Sequence, residues 1–453
     1  MAIQAPGVGS GLDVNGIVTK LMAIERQPIA RLDSKKAIVN AQISAYGSLK
    51  SKISDFQTAM SDLSSASSFK VFSGVSNDQA LFTVNVDSAA TAGSYNVDVV
   101  ALAKRDKIST KAYTDSATVV GEGTLTLSTG SNSFNVVIDT SNNTVSGIRD
   151  AINNASDNTG VSASIVTDNN GAQLVLSSSN TGTANALKVV VSDTTDGNNT
   201  DDAGLSSLAF EAGVVSHRAN ISTAKDAVVK IDGFTVNSSS NTITGAVDGL
   251  TINAKAIGSS TVDVSRNDTA ITKSVQKFAD AYNALRTEIS TQRKGKLGPD
   301  STLLTIERQL AGILNSGNTI AGSNFSYVSQ VGLTTDSVGK MTLNTSDLTN
   351  VLNTDFSSFV NLFSAQNGGI ATKLKDYADG ILATGGLIDA RKTGFDTQVK
   401  GIDDQKARLE SRMVSVERRI RAQFSALDTL VSKLNSTGNF LTKQLAALPG
   451  VGG

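Results

Sequence analysis

The 453-residue chain has no cysteine, no tryptophan, one histidine and four prolines. Without cysteine there is no disulfide, no thiol nucleophile and no cysteine-bearing zinc site. A lone histidine excludes the paired-histidine helix of metalloproteases. His217 sits in "HRAN" with no serine elbow and no acidic orienter nearby, so it reads as a surface residue. An excess of charge of one sign is also missing: 40 Lys and Arg face 41 Asp and Glu, a net charge of −1. A basic field that would hold nucleic acid or an anionic bilayer is therefore lacking. No apolar run reaches the ~20 residues of a membrane-spanning helix. The first basic residue is Lys20, so the basic head of a secretory signal is absent as well. The expectation is no nucleic-acid partner and no membrane insertion. Glycosidase chemistry needs two carboxylates across a sugar cleft, and an aromatic share of 5% leaves few rings to stack a sugar. These absences predict a protein that is not an enzyme, with no cofactor and no metal site.

Two motifs invite a chemical reading and fail it. "GVGSG" at residues 7–11 resembles a phosphate-cradling loop. Such a loop needs a preceding strand, a helix N-terminus aimed at the anion and a Gly-Lys-Ser/Thr ending. No strand-forming run precedes this one and no such ending follows, so it reads as a flexible entry to a helix. The acidic "SDTTDGNNTDD" supplies Asp193, Asp196, Asp201 and Asp202. No register of it puts glycine sixth and glutamate twelfth, as a calcium loop requires.

Length suggests about three domains, and charge marks their limits. Between Tyr113 and Ala224 the only basic residues are Arg149, Lys188 and Arg218, whereas both flanks are rich in Lys and Arg. Both flanks also carry helical periodicity. Near the N-terminus Val14, Ile17, Leu21 and Ile24, then Val39 to Leu63, recur at steps of three and four. Asp13 is a candidate N-cap, and Pro28 should kink the run or restart a helix at "QPIARL". Near the C-terminus a stripe runs from Phe395 through Ile402, Met413, Ile420, Phe424, Leu427 and Leu434 to Leu448, with Lys406 and Gly438 in two of its slots. The four-residue step from Ile420 to Phe424 is a stutter that should unwind a supercoil locally. A further helix is predicted over 269–289, from Ile271, Val275, Phe278, Tyr282, Leu285 and Ile289.

The middle alternates as strands do. "LFTVNV" and "YNVDVVAL" around "AATAGS" predict one hairpin, and "SSASSFKVFSGVSNDQ" before them reads as a connector. "TLTLSTGSNSFNVVID" predicts a second hairpin, "TVSGIRDAINNAS" a helix burying Val145, Ile148 and Ile152, and "VSASIVTDNNGAQLVLS" a third hairpin. Together these form a ββαββ unit. The fold class is α+β with discontinuous domains, terminal helices forming a coiled-coil or bundle leg and β-rich domains inserted in mid-chain. An apolar seam running into a glycine-rich end lacks an evident cover, so partner helices are expected.

Several stretches resemble a known family. "GSGLDVNGIVTKLMAIERQP", "VVKIDGFTVNSSSNTITGAVDGLTINA" and "VGLTTDSVGKMTLNTSDLTNVLNTDFSSFVNLF" closely resemble, in that order, the bacterial flagellar filament-capping proteins, also called the hook-associated protein 2 family. "FNVVIDTSNNTVSGIRDAINNASDNTGVSASIV" is similar to a motif inserted in flagellins and hook-associated proteins. The resemblance implies a secreted protein at the flagellar filament tip that assembles into a ring-shaped homo-oligomer, usually a pentamer. It implies flagellin and the filament end as partners, together with the export machinery and its chaperone. The implied role is to shelter exported flagellin as it folds and polymerises, and to prevent its loss. A soft N-terminus and a cysteine-free chain suit threading through an export channel. On this reading 1–40 and 431–453 are terminal segments, and 41–77 with 268–430 form a helical bundle. An inner β domain then comprises 78–103 with 215–267, and an outer one 104–214. Leu12, Ile17, Leu21, Leu441, Leu445 and Leu448 are the candidate filament contacts, against the plainer reading that the two terminal helices simply pack together. The alternatives are another axial protein, of flagellin or hook-filament junction type, or a surface adhesin that binds host glycans through its β domains.

Overall fold

The structure, a computed structural model, describes residues 11, 13–211, 215–216, 219–317 and 319–446. Asp13 opens the first helix as expected, its Oδ1 accepting from Gly16 N at 2.8 Å, and α1 spans Val14–Glu25. Proline has no N–H to lose at the start of a helix, and Pro28 accordingly stands in the first turn of α2 (Gln27–Leu63). The chain then leaves for a β-rich unit, Lys70–Ala270, and returns to complete a helical unit with Ile271 onward.

The β-rich unit begins where a connector was expected. After a 3₁₀ turn at Ala66–Phe69, β1 (Phe72–Ser76) pairs antiparallel with a strand near the end of the unit. Five residues around Gly74 carry little strand signal, yet the glycine is needed. A Cβ there would come 2.5 Å from Val86 Cγ2. The next strands are β2 (Phe82–Val86), β3 (Gly93–Ala101) and β4 (Arg105–Ser109). A hairpin follows, β5 (Gly123–Thr129) with β6 (Asn132–Ile138). The helix α3 (Val145–Asn154) leads to a second hairpin, β7 (Val161–Asp168) with β8 (Gly171–Thr181). β9 (Leu187–Asp193), β10 (Phe210–Glu211), β11 (Val215–Ser216) and β12 (Ala219–Ser222) complete the outer part. The inner part resumes with β13 (Ala227–Ile231), β14 (Phe234–Ser238), β15 (Thr242–Val247), β16 (Leu250–Ala254) and β17 (Gly258–Arg266).

These strands build two modules with separate cores. In the inner module the sheet β1-β17-β3-β13-β14 faces the sheet β15-β16-β2 over Phe82, Val97, Val99, Val229, Ile252 and Val262. The first predicted hairpin is therefore wrong. β2 pairs with β16, and β3 pairs with β17 and β13. Alternation fixes which side of a strand is apolar, and strands in opposite sheets of a sandwich share that signal. The outer module sets β11-β10-β9-β5-β6 against β12-β4-β8-β7. The apolar face of α3 (Val145, Ile148 and Ile152) joins Leu125, Leu127 and Phe134 in its core. The predicted ββαββ order is present, with its two hairpins in different sheets.

The helical unit continues with α4 (Asp268–Lys294), whose six predicted apolar positions are all buried. It goes on through α5 (Ser301–Asn315), a small hairpin of β18 (Leu333–Thr335) with β19 (Met341–Leu343), α6 (Thr345–Thr354), α7 (Phe356–Ser364) and α8 (Ile370–Leu382). The last helix, α9 (Leu387–Ala446), has 60 residues, about 90 Å at ~1.5 Å each. Aromatic side chains from three helices meet in the core. Phe56 lies 6.1 Å from Phe278, which lies 6.4 Å from Phe363 in a T-shaped contact, the geometry that ring quadrupoles favour.

Candidate functional site

Four of the six candidate residues lie on two helices, Ile17 and Leu21 on α1 and Leu441 and Leu445 on α9. Val14, Val18 and Met22 of α1 are buried against Met413 and Val416 of α9, with Ile29, Ile420 and Phe424 half-buried beside them. The packed face of α1 is thus the i, i+4 row beginning at Val14. The expected row turned the other way: Ile17 is half-buried, Leu21 is 38% exposed and Ile24 is 62% exposed. Both rows are apolar and start at Val14, so only the position of α9 decides between them. The stutter pair, Ile420 and Phe424, lies at the edge of this contact.

The ion pairs between α2 and α9 account for the lysine in the stripe. Lys406 Nζ lies 2.6 Å from Asp33 Oδ1, and Lys36 Nζ lies 2.6 Å from Asp403 Oδ1. The hydrogen bond to Asp33 holds the Lys406 ammonium above its ordinary pKa. Pairs this exposed add little to stability because solvent screens them, so their effect is on register. Nearer the tip, Arg421 donates to Asn15 Oδ1 at 3.0 Å and pairs with Glu417 at 2.9 Å. Sequence reasoning missed Asp33, Lys36 and Asn15, because nothing in the spacing of polar residues says which helix they will meet.

Beyond Phe424 the character of α9 changes. Its described residues from Leu427 onward include no buried side chain. Leu427, Leu430, Leu434, Leu441 and Leu445 are all exposed, Leu445 at 68%. At about 100° per residue these five fall within roughly 60° of one another, a seam of the width that one partner helix covers. Phe440 is exposed too, outside that arc. Leu430 and Phe440 were not singled out from the sequence. Leu12 and Leu448, like residues 7–10 of the glycine run and His217, lie outside the described residues.

The remaining candidates do structural work. Asp193 of the acidic stretch is buried, and its two carboxylate oxygens accept from Thr195 N at 2.7 Å and Ser206 N at 2.9 Å. Among the described residues no group of three or more acidic or histidine side chains is arranged to hold a metal. None of their helices is long and apolar enough to cross a membrane.

Comparison with known proteins agrees with this architecture. Family models for the N-terminus and C-terminus of flagellar hook-associated protein 2 match residues 10–106 and 224–436, and the flagellin hook IN motif matches residues 124–180. The chain is 32% identical to flagellar hook-associated protein 2 of Escherichia coli K12, across 98% of both chains. It is 31% identical to the B-type protein of Pseudomonas aeruginosa, over 99% of this chain and 98% of that one. A crystal structure of the D1-D2-D3 domains of the Escherichia coli flagellar cap protein is similar, with a TM-score of 0.66 at 31% identity. It covers 78% of this chain and 99% of that structure.

Proposed function

The chain belongs to the flagellar hook-associated protein 2 family, and from that membership we propose that it caps the distal end of the bacterial flagellar filament. It acts there on flagellin as it arrives, sheltering folding subunits, promoting their polymerisation and preventing their loss. Matches to both terminal models of the family favour a cap over a flagellin or a junction protein.

The observation that carries the mechanism is the division of α9. Before Phe424 it buries Ile388, Ile402, Met413 and Val416 within the helical unit, and from Leu427 to Leu445 five leucines are exposed on one narrow arc. Burying a leucine contributes about 1.5–3 kcal/mol. A seam of five can therefore hold the cap on a filament end through helix contacts that still release as each subunit is added. In this scheme Leu441, Leu445 and Leu448 are the leading filament contacts, with Leu12, Ile17 and Leu21 from the other terminus. The terminal segments 1–40 and 431–453 engage the filament, the bundle of 41–77 and 268–430 forms the leg, and the β domains, 78–103 with 215–267 and 104–214, form the plate. Copies close into a ring, a pentamer in the simplest form, after export with a dedicated chaperone. Glycan binding by the β modules is the reading from another class, and a glycan-binding assay on residues 70–270 tests it.

The deciding experiment is Leu445→Asp. The variant should be made and exported, and should melt like the parent, because Leu445 contributes nothing to either unit's core. It should then be lost to the medium with unpolymerised flagellin, leaving cells with few filaments. Normal swimming and capped filaments in the mutant would show that the seam does not dock.

A further inference from the structure

Among the described residues the two β modules share no core side chain: those packed around Phe82 and Val262 and those packed around Leu127 and Ile148 are disjoint sets. Two strands of chain join them side by side, with Lys104 N donating to Lys225 O at 2.8 Å and Lys225 N to Lys104 O at 3.2 Å. A two-stranded ribbon of this kind bends readily unless something braces it. The braces are polar, and some of them come from the "SSSN" turn, which lies in one of the stretches that resemble the family.

Asn241 in that turn clasps the connector. Its Oδ1 accepts from Ala103 N at 2.7 Å and its Nδ2 donates to Ala103 O at 3.1 Å. Ser239 O, two residues earlier, accepts from Thr181 Oγ1 of the outer module at 2.6 Å. On the other side Asp226 Oδ1 accepts from Thr183 N at 2.7 Å, and Asp226 Oδ2 accepts from Thr183 Oγ1 at 2.9 Å. Between them Gly182, at φ +100°, lies so close that a Cβ would stand 2.5 Å from Ser239 Cβ. Only glycine fits both that backbone conformation and that gap.

We propose that the Ser239–Asn241 turn, Asp226 and Gly182 form a latch that holds the outer β module at one angle to the inner one, and whose release lets the outer module swing about the Lys104–Lys225 ribbon. The chemistry suits a latch. Each brace is a hydrogen bond at an exposed or half-buried position, which water replaces at little net loss, whereas a shared apolar core would fuse the modules permanently.

The absence of cysteine makes the test clean, because two introduced thiols are the only ones in the full chain. Spin labels at Ser133→Cys on β6 and Ala246→Cys on β15 report the distance between modules by pulsed electron resonance; both positions are exposed. The parent should give a single narrow distance distribution. Asp226→Ala with Asn241→Ala should broaden it at least twofold, with the melting of both modules retained. Gly182→Ala should broaden it as well, by wedging the turn away. A parent distribution that is already broad, or a folded double variant as narrow as the parent, overturns the latch. Should the double variant fail to fold, Thr181→Val removes one hydroxyl alone, and the same two outcomes decide.

Discussion

Tyr46 shows how much one buried hydroxyl organises. It lies in the core of α2 and donates to Asp300 Oδ2 at 2.6 Å. Asp300 caps α5 by accepting from Thr302 N at 2.9 Å, and Arg391 of α9 reaches the same carboxylate at 3.2 Å. Burial and the Asp300 carboxylate together push the tyrosine's pKa up. For Asp300, burial favours the neutral acid, but the bonds from Thr302 and Tyr46 and the charge of Arg391 outweigh it and hold the pKa below the ordinary carboxylate value. A carboxyl depressed in the folded state stabilises it at pH above its unfolded pKa of about 3.9, and that contribution is lost as pH falls through the folded value. Tyr46→Phe should therefore destabilise the helical unit by about 1–3 kcal/mol at pH 7, by leaving a buried acceptor short of a donor. It should also move acid unfolding to higher pH. Urea titrations across pH 2–7 measure both, and an unchanged acid limb would show that Asp300 owes its low pKa to other partners.

At the scale of the element, α9 is one continuous helix with two environments. Its first two-thirds carry the buried Ile402, Met413 and Val416, and its last third carries exposed leucines. Most helix stability in proteins comes from packing an apolar face, so protection from amide exchange should follow packing. Exchange by mass spectrometry should show slow amides over 387–416, faster ones around Ile420 and Phe424, and the fastest over 427–446. Uniform protection along the helix would mean that the last third is covered in the isolated protein. The same logic applies to α1, which is 12 residues long and has only three buried side chains. Val18→Asp should detach α1 and expose Met413 and Val416 to exchange while leaving the melting of the β-rich unit unchanged.

For the whole molecule the strand register sets where the chain can be cut. The β-rich unit spans Lys70–Ala270, and β1 pairs with β17 from Phe72↔Arg266 to Ser76↔Val262. A fragment of residues 70–270 should unfold cooperatively on its own. Cutting to 81–266, from the first residue of "LFTVNV" to the end of β17, removes β1 and uncovers β17 as an edge. That shorter fragment should melt several degrees lower and aggregate more readily in calorimetry. Equal melting of the two fragments would show that β1 adds nothing to the unit.

The sequence by itself determined which residues could be interior and which segments could be helix or strand. The α4 stripe, the α3 face, the Asp13 cap, the restart at Pro28 and the β5–β6 and β7–β8 hairpins all follow from local periodicity and turn chemistry, which act over a few residues. The family signatures followed from the same short stretches. Only the tertiary structure decided pairing across distance: β2 with β16, β1 with β17, Lys406 with Asp33, and Val18 instead of Ile17 against α9. Each of those choices is between partners with equivalent local patterns. The difference in free energy lies in contacts such as that of Lys406 with Asp33, 373 positions away, which no periodicity records. The same holds for the last third of α9, whose leucines look like core in the sequence until the fold leaves them at the surface.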